Sequence, residues 1–160
     1  MQDRRGIIFA LVLAAFSGCA REEGATPLRG QVVSQVSSDH QVNIFPIWTE
    51  EKGALKFFIR VNYYSEDWIF IQAGRTLMIR AGEEEIFLRS EVGSLDERKL
   101  LDGGYVSETA DYFIGKIQML KILSSETPSF ILLGVSNNVE RPLSESTLEK
   151  FRQFLEDYMH

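Results

Sequence analysis

ALKFFIRVNYY, residues 54–64, alternates with a period of two: Leu55, Phe57, Ile59, Val61 and Tyr63 on one side, Lys56, Phe58, Arg60, Asn62 and Tyr64 on the other. Successive side chains of a strand point to opposite faces, so the segment reads as a strand with one apolar and one mixed face. That pattern belongs to an antiparallel sheet packed on one side and partly wet on the other. The neighbouring runs agree. Gln41 to Trp48 places Val42, Ile44, Pro46 and Trp48 on one side, and Pro46 confines it to a sheet edge or ends it. Arg75–Arg80 and Glu85–Arg89, joined through Gly82, read as a hairpin with Glu83, Glu84 and Glu85 at its solvated tip.

Further strands are expected at Gln31–Val36, Tyr105–Phe113 and Phe130–Val135, the last turning at Asn137-Asn138 into Val139. Trp68–Gln72 (WIFIQ) is a nearly continuous apolar run, and Glu91–Gly104 is a polar loop with a helical turn around Asp96–Leu101. Lys116–Leu123 suits either a short helix, through Ile117, Leu120 and Leu123, or a strand. At the C-terminus Leu148, Phe151, Phe154, Leu155 and Tyr158 form a helical stripe, with Lys150 and Arg152 facing water and Ser144 or Ser146 as the cap. The expected fold is α+β and mainly β: an antiparallel sheet of five to seven strands, a docked C-terminal helix and a second short helix if Lys116–Leu123 is one.

The first thirty residues have a different character. Arg4 and Arg5 precede the charge-free run Ile7–Phe16, then Ser17, Gly18 and Cys19, the only cysteine. Ten apolar residues are too short for a bilayer-spanning helix, which needs roughly 20, but match the apolar centre of a secretory signal. Phe16-Ser17-Gly18-Cys19 resembles the lipobox of bacterial lipoproteins, with Phe16 where that family ordinarily has Leu. The competing reading is a soluble-secretion cut after Ala20. The resemblance implies removal of residues 1–18 and acylation of Cys19, which would anchor the chain in the membrane, and Ala20 beside it leans towards the outer membrane facing the periplasm. Residues 19–30, polar with Gly24 and Pro27, then form a flexible tether, and 31–160 a single globular domain.

Without residues 1–18 the totals of 17 basic and 23 acidic residues lose two arginines and one aspartate, leaving a net charge of −7. Such a domain repels polyanions, so no nucleic-acid partner is expected. Phosphate-loop, GxSxG, HExxH and GxGxxG motifs are absent from the sequence, and no cofactor or metal is expected. Ser136, in Gly-Val-Ser-Asn-Asn, reads as a hairpin residue, and His40 and His160 as an isolated turn residue and a terminal residue. Aromatics are the remaining carriers of function: Phe58 and Tyr64, opposite the main apolar face, with Trp48, are the candidate interaction surface. The expected role is a non-catalytic, membrane-tethered module that binds another envelope component, such as a protein partner. The alternatives are a carrier or chaperone for a small apolar ligand, and a hydrolase of envelope polymers with converging carboxylates.

Overall fold

The computed structural model describes residues 35–36 and 41–159. The signal segment, Cys19, the tether, Gln31–Ser34, His40 and His160 lie outside the described residues. In chain order the elements are β1 (Gln35–Val36), β2 (Gln41–Glu51), β3 (Ala54–Ser65), β4 (Gly74–Ala81), β5 (Glu84–Ser90), β6 (Arg98–Leu100), β7 (Val106–Phe113), α1 (Lys116–Ser124), β8 (Ser129–Leu133), β9 (Asn138–Pro142) and α2 (Glu145–Tyr158). All pairings are antiparallel, in the order β1-β2-β3-β7-β5-β4-β8-β9 with β6 on β7. The mainly-β α+β fold expected from alternation is the one observed. Seven strands have five residues or more; β1 and β6, with two and three, bring the sheet to nine.

The sheet has two halves. β1, β2, β3, β6 and β7 form one, and β4, β5, β8 and β9 the other; they meet through a single pair, Arg89 opposite Phe113. The same edge of β7 takes Arg98–Leu100 at its opposite end. Both helices lie on one face, α2 against β2 and α1 against β4 and α2. Beneath them Ile59, Val61, Ile79, Tyr112, Phe130 and Phe151 are fully buried. Burying each such side chain contributes about 1.5–3 kcal/mol, and this core holds the two halves as one layer.

The alternation of β3 is realised from Phe57 to Tyr63, and Pro46 lies in β2 beyond its short pairing with β1. Helix α2 starts on Ser144, whose Oγ accepts from the Thr147 amide at 3.2 Å, so Ser144 rather than Ser146 is the cap. Leu148, Phe151 and Phe154 face inward as the stripe predicts. Lys150 departs from expectation: it is half-buried and its Nζ makes no hydrogen bond, so burial lowers its pKa.

Three other local expectations are corrected, and the apolar run Trp68–Gln72 finds an unexpected place. Lys116–Ser124 is helical, yet Met119 and Ile122 are the buried side chains while Ile117 and Leu120 are exposed, because α1 turns toward β4 and α2. Arg98–Leu100, expected near a helical turn, is strand β6, because the edge of β7 offers it ladder partners. The β8–β9 connection is Gly134–Asn137, with Gly134 N–H donating to Asn137 O at 3.0 Å, so the Asn pair needs no positive φ. Trp68–Gln72, apolar enough for a strand, joins no ladder.

The docking of α2 has a direct consequence for stability. Phe151→Ala empties a fully buried site and should cost about 3–5 kcal/mol in urea unfolding. Gln153→Ala, on the exposed face, should shift stability by less than about 0.5 kcal/mol. Equal unfolding midpoints for the two variants would contradict the docking.

Candidate functional site

Strand β7 reads VSETADYF, and its alternation sends Val106, Glu108, Ala110 and Tyr112 to the core face. Glu108 is therefore an acid in a core register, opposite Tyr63. Its side chain is 0% exposed. A buried carboxylate is very costly unless hydrogen-bonded, and here the donors come from three segments. Oε1 accepts from the amides of Ile69 and Phe70, each at 2.8 Å. Oε2 accepts from the Ile71 amide at 2.8 Å and from Ser94 Oγ at 2.6 Å, with Arg98 Nε 3.5 Å away. Burial alone would push the carboxyl's pKa up; the Ser94 hydroxyl and the three amides outweigh it and hold the pKa below its ordinary value. Glu108 is thus a fixed anion whose oxygens are occupied, unsuited to act as an acid catalyst.

This explains why Trp68–Gln72 needs no strand partner. The amides of Ile69, Phe70 and Ile71 go to Glu108, and the carbonyls of Trp68, Ile69 and Ile71 are taken up elsewhere. Ile69 O accepts from the amides of Val135 at 2.7 Å and Ser136 at 3.3 Å, and Trp68 O from Ser136 Oγ at 2.6 Å. Ile71 O accepts from the Ser94 amide at 2.9 Å and Arg98 Nη2 at 3.2 Å. Such pairing is what lets an irregular segment bury the side chains of Ile69 and Ile71 without joining a ladder. Close approach requires glycine on both sides. A Cβ on Gly134 would stand 2.4 Å from Ile69 O, and one on Gly93 2.4 Å from Gln72 C.

The clamp imposes a conformation that aromatic residues avoid. Phe70 has φ 58°, in the left-handed region, where a bulky side chain is strained. The residue is 41% exposed. It stacks on Trp68 with centroids 6.1 Å apart and planes 22° apart, while the Arg98 guanidinium lies 5.3 Å from the same centroid. Trp68 and Phe70 form a ledge along a cleft of about 410 Å³, completed by Tyr63, Asp67, Ile69, Ser136 and Asn137. Tyr63 OH donates to Asp67 O at 3.0 Å, and Asn137 Oδ1 accepts from the Asn138 amide at 2.8 Å.

The candidate residues read from sequence fall elsewhere. Phe58 and Tyr64 lie on the face opposite the helices, both half-buried. Phe58 meets Phe113 edge-on, centroids 6.0 Å apart, in a smaller hollow of about 310 Å³ that also touches Lys56, Arg89 and Val92. Beside it Arg60 makes a bidentate pair with Asp111, both contacts 2.6 Å. Trp48 does not join them: it packs on the helix face against Tyr158, centroids 5.9 Å apart, since its register partner is Phe57. Ser136 is the turn residue expected, its hydroxyl given to Trp68 O. Cys19 lies outside the described residues. Trp68 and Phe70 are the functional residues that the alternation pattern does not reveal; the acid at a core position of β7 is the signal in the sequence that points to them.

Among the described residues no three His, Cys, Asp or Glu side chains are grouped to hold a metal, and no helix is long and apolar enough to cross a membrane. No family model, curated protein or solved structure matches the chain.

Two measurements test the clamp and the strain. Glu108→Gln keeps the shape but removes the charge and turns an amide group toward existing donors, which should cost about 2–4 kcal/mol at pH 7. Because the folded pKa is lowered, the ionic contribution is fully present above the ordinary value of 4.5 and is lost as pH falls through the folded value. The stability gap between wild type and Glu108→Gln should therefore shrink below about pH 4.5; a gap constant from pH 7 to 3 would contradict an ionic clamp. At φ 58° glycine is unstrained and alanine is not, so Phe70→Gly should be more stable than Phe70→Ala by about 1 kcal/mol in urea unfolding.

Proposed function

We propose that the protein is a non-catalytic binding module, tethered to the bacterial envelope through lipid on Cys19, that takes its ligand on the Trp68–Phe70 ledge. The observation that carries this reading is the exposed Phe70 ring held at φ 58° by the Glu108 clamp, beside a cleft within the roughly 300–1,000 Å³ range of small-molecule sites. Backbone strain at an exposed aromatic persists only where the surroundings fix it, and it gathers at ligand-binding positions. Rings fixed in advance lose little freedom on contact, which favours affinity. The hollow at Phe58 has the weaker claim: its aromatics sit in ordinary strand geometry, and the neighbouring Arg60–Asp111 charges already satisfy each other.

A binding role suits the chemistry of the ledge. Its one buried acid is spent on backbone amides, its serine on a carbonyl, and stacking and hydrogen bonding are what its surface offers. The tether would keep the module at the membrane. Each buried methylene adds about 0.8 kcal/mol and one chain alone anchors marginally, so two or three acyl chains are needed for lasting attachment.

Two experiments address the two halves of the proposal. Metabolic labelling with a fatty acid should mark the wild-type protein and not Cys19→Ala; an unlabelled wild type removes the anchor. A photoreactive phenylalanine analogue at Asn137 should crosslink an envelope component in intact cells, whereas the same analogue at Gln153 should not. Crosslinking indistinguishable between the two positions removes the ledge as the binding site.

A further inference from the structure

We propose that the ligand of the ledge is an uncharged sugar, bound with a pyranose face on Trp68, which Phe70 braces, and its hydroxyls against Asp67 and Asn137. This deepens, and rests on, the reading of the ledge as a binding site. The choice of ligand follows from what the cleft presents. Two aromatic rings supply flat, polarisable surface for the C–H face of a saturated ring. Asp67 supplies a carboxylate acceptor. Asn137 has its Oδ1 engaged by the Asn138 amide, which leaves its NH₂ to donate. An alternation of C–H faces and hydroxyls is the chemistry that meets both kinds of surface at once.

Charged ligands fit less well, for reasons also built into the site. Among the described residues no basic side chain lines the cleft, and Asp67 opposes an anion. A cation would seek an aromatic face. Arg98 already stands over the Phe70 ring at 5.3 Å, so a second cation there meets like charge. A purely apolar ligand would make no use of Asp67 and the Asn137 amide, the polar edge of the cleft. The volume of about 410 Å³ admits one or two sugar rings, with longer chains running out of its open side.

The test uses the tether-free wild-type domain, residues 31–160, only after its cooperative unfolding is shown to match that of the full chain; otherwise the full chain is used in detergent. The probe is the trimer of N-acetylglucosamine, added up to about 10 mM, and the readout is the Trp68 indole N–H resonance, assigned with Trp68→Phe. The expected result is a saturable shift that leaves the Trp48 resonance unmoved. Phe70→Gly and Asp67→Ala, each folded by the same unfolding criterion, should weaken binding by about tenfold or more. An unmoved Trp68 resonance overturns the sugar assignment, as does a shift that both variants retain. An Asn137 crosslink to a protein alone, with no response to the trimer, overturns the sugar and leaves the binding-module reading standing. Failure of both the crosslink and the trimer removes the two together.

Discussion

A single buried charge ties together two of the connections that cross between the halves of this sheet. The two halves of the sheet touch through one backbone pair, Arg89 with Phe113, so the ladder alone does little to join them. The chain crosses from β3 to β4 through Glu66–Ala73 and back from β5 to β6 through Glu91–Glu97. A third crossing runs from β7 to β8 through α1; the first two are tied to Glu108, one by three consecutive amides and the other by Ser94. An ionised carboxylate cannot be left without partners in an apolar interior. Releasing either crossing therefore takes donors away from the buried charge, which couples the two connections to the strand that carries it.

The ledge is a product of that arrangement. Three amides converging on two oxygens dictate the path of the backbone from Ile69 to Ile71, and the path leaves Phe70 in the left-handed region with its ring outward. Gly134 and Gly93 press against the same backbone at distances no Cβ tolerates, so the segment is gripped from both sides. Conformational entropy is thus spent on folding, before any ligand arrives. The aromatic pair at Phe58 and Phe113 offers the contrast. It rests on a regular strand pairing, it stores no strain, and its exposure follows from alternation alone. Exposed aromatics are common on sheets; an exposed aromatic held in an unfavourable conformation by six or more directed hydrogen bonds is not.

Most of the fold was legible because it obeys a period. The alternation of β3, the Gly82 hairpin and the stripe of α2 each reflect a face that must be dry, and the structure buries Ile59, Val61, Tyr63, Phe151 and Phe154 accordingly. The errors fell where periodicity carries no information about partners. In α1 both helical faces are apolar, and only the positions of β4 and α2 decide that Met119 and Ile122 go inward rather than Ile117 and Leu120. Arg98–Leu100 is a strand because an edge of β7 is free beside it, a fact about three-dimensional neighbours.

The site was hidden by the same rule that revealed the fold. WIFIQ has the composition of a strand, and hydrophobicity alone cannot tell a segment that pairs with a ladder from one whose amides are claimed by a side chain. Yet the claimant was in plain view. Val106, Glu108, Ala110 and Tyr112 share one face of β7, and an acid at the second of those positions must find donors inside the protein. Ser94 and Arg98, in a loop that reads as surface, and an apolar run with free amides were candidates for the purpose. A charged residue on the dry side of an otherwise regular alternation is thus more than an exception to the pattern: it states that some other segment has given up its own backbone pairing to meet it. In this chain that segment is the one that carries the exposed rings.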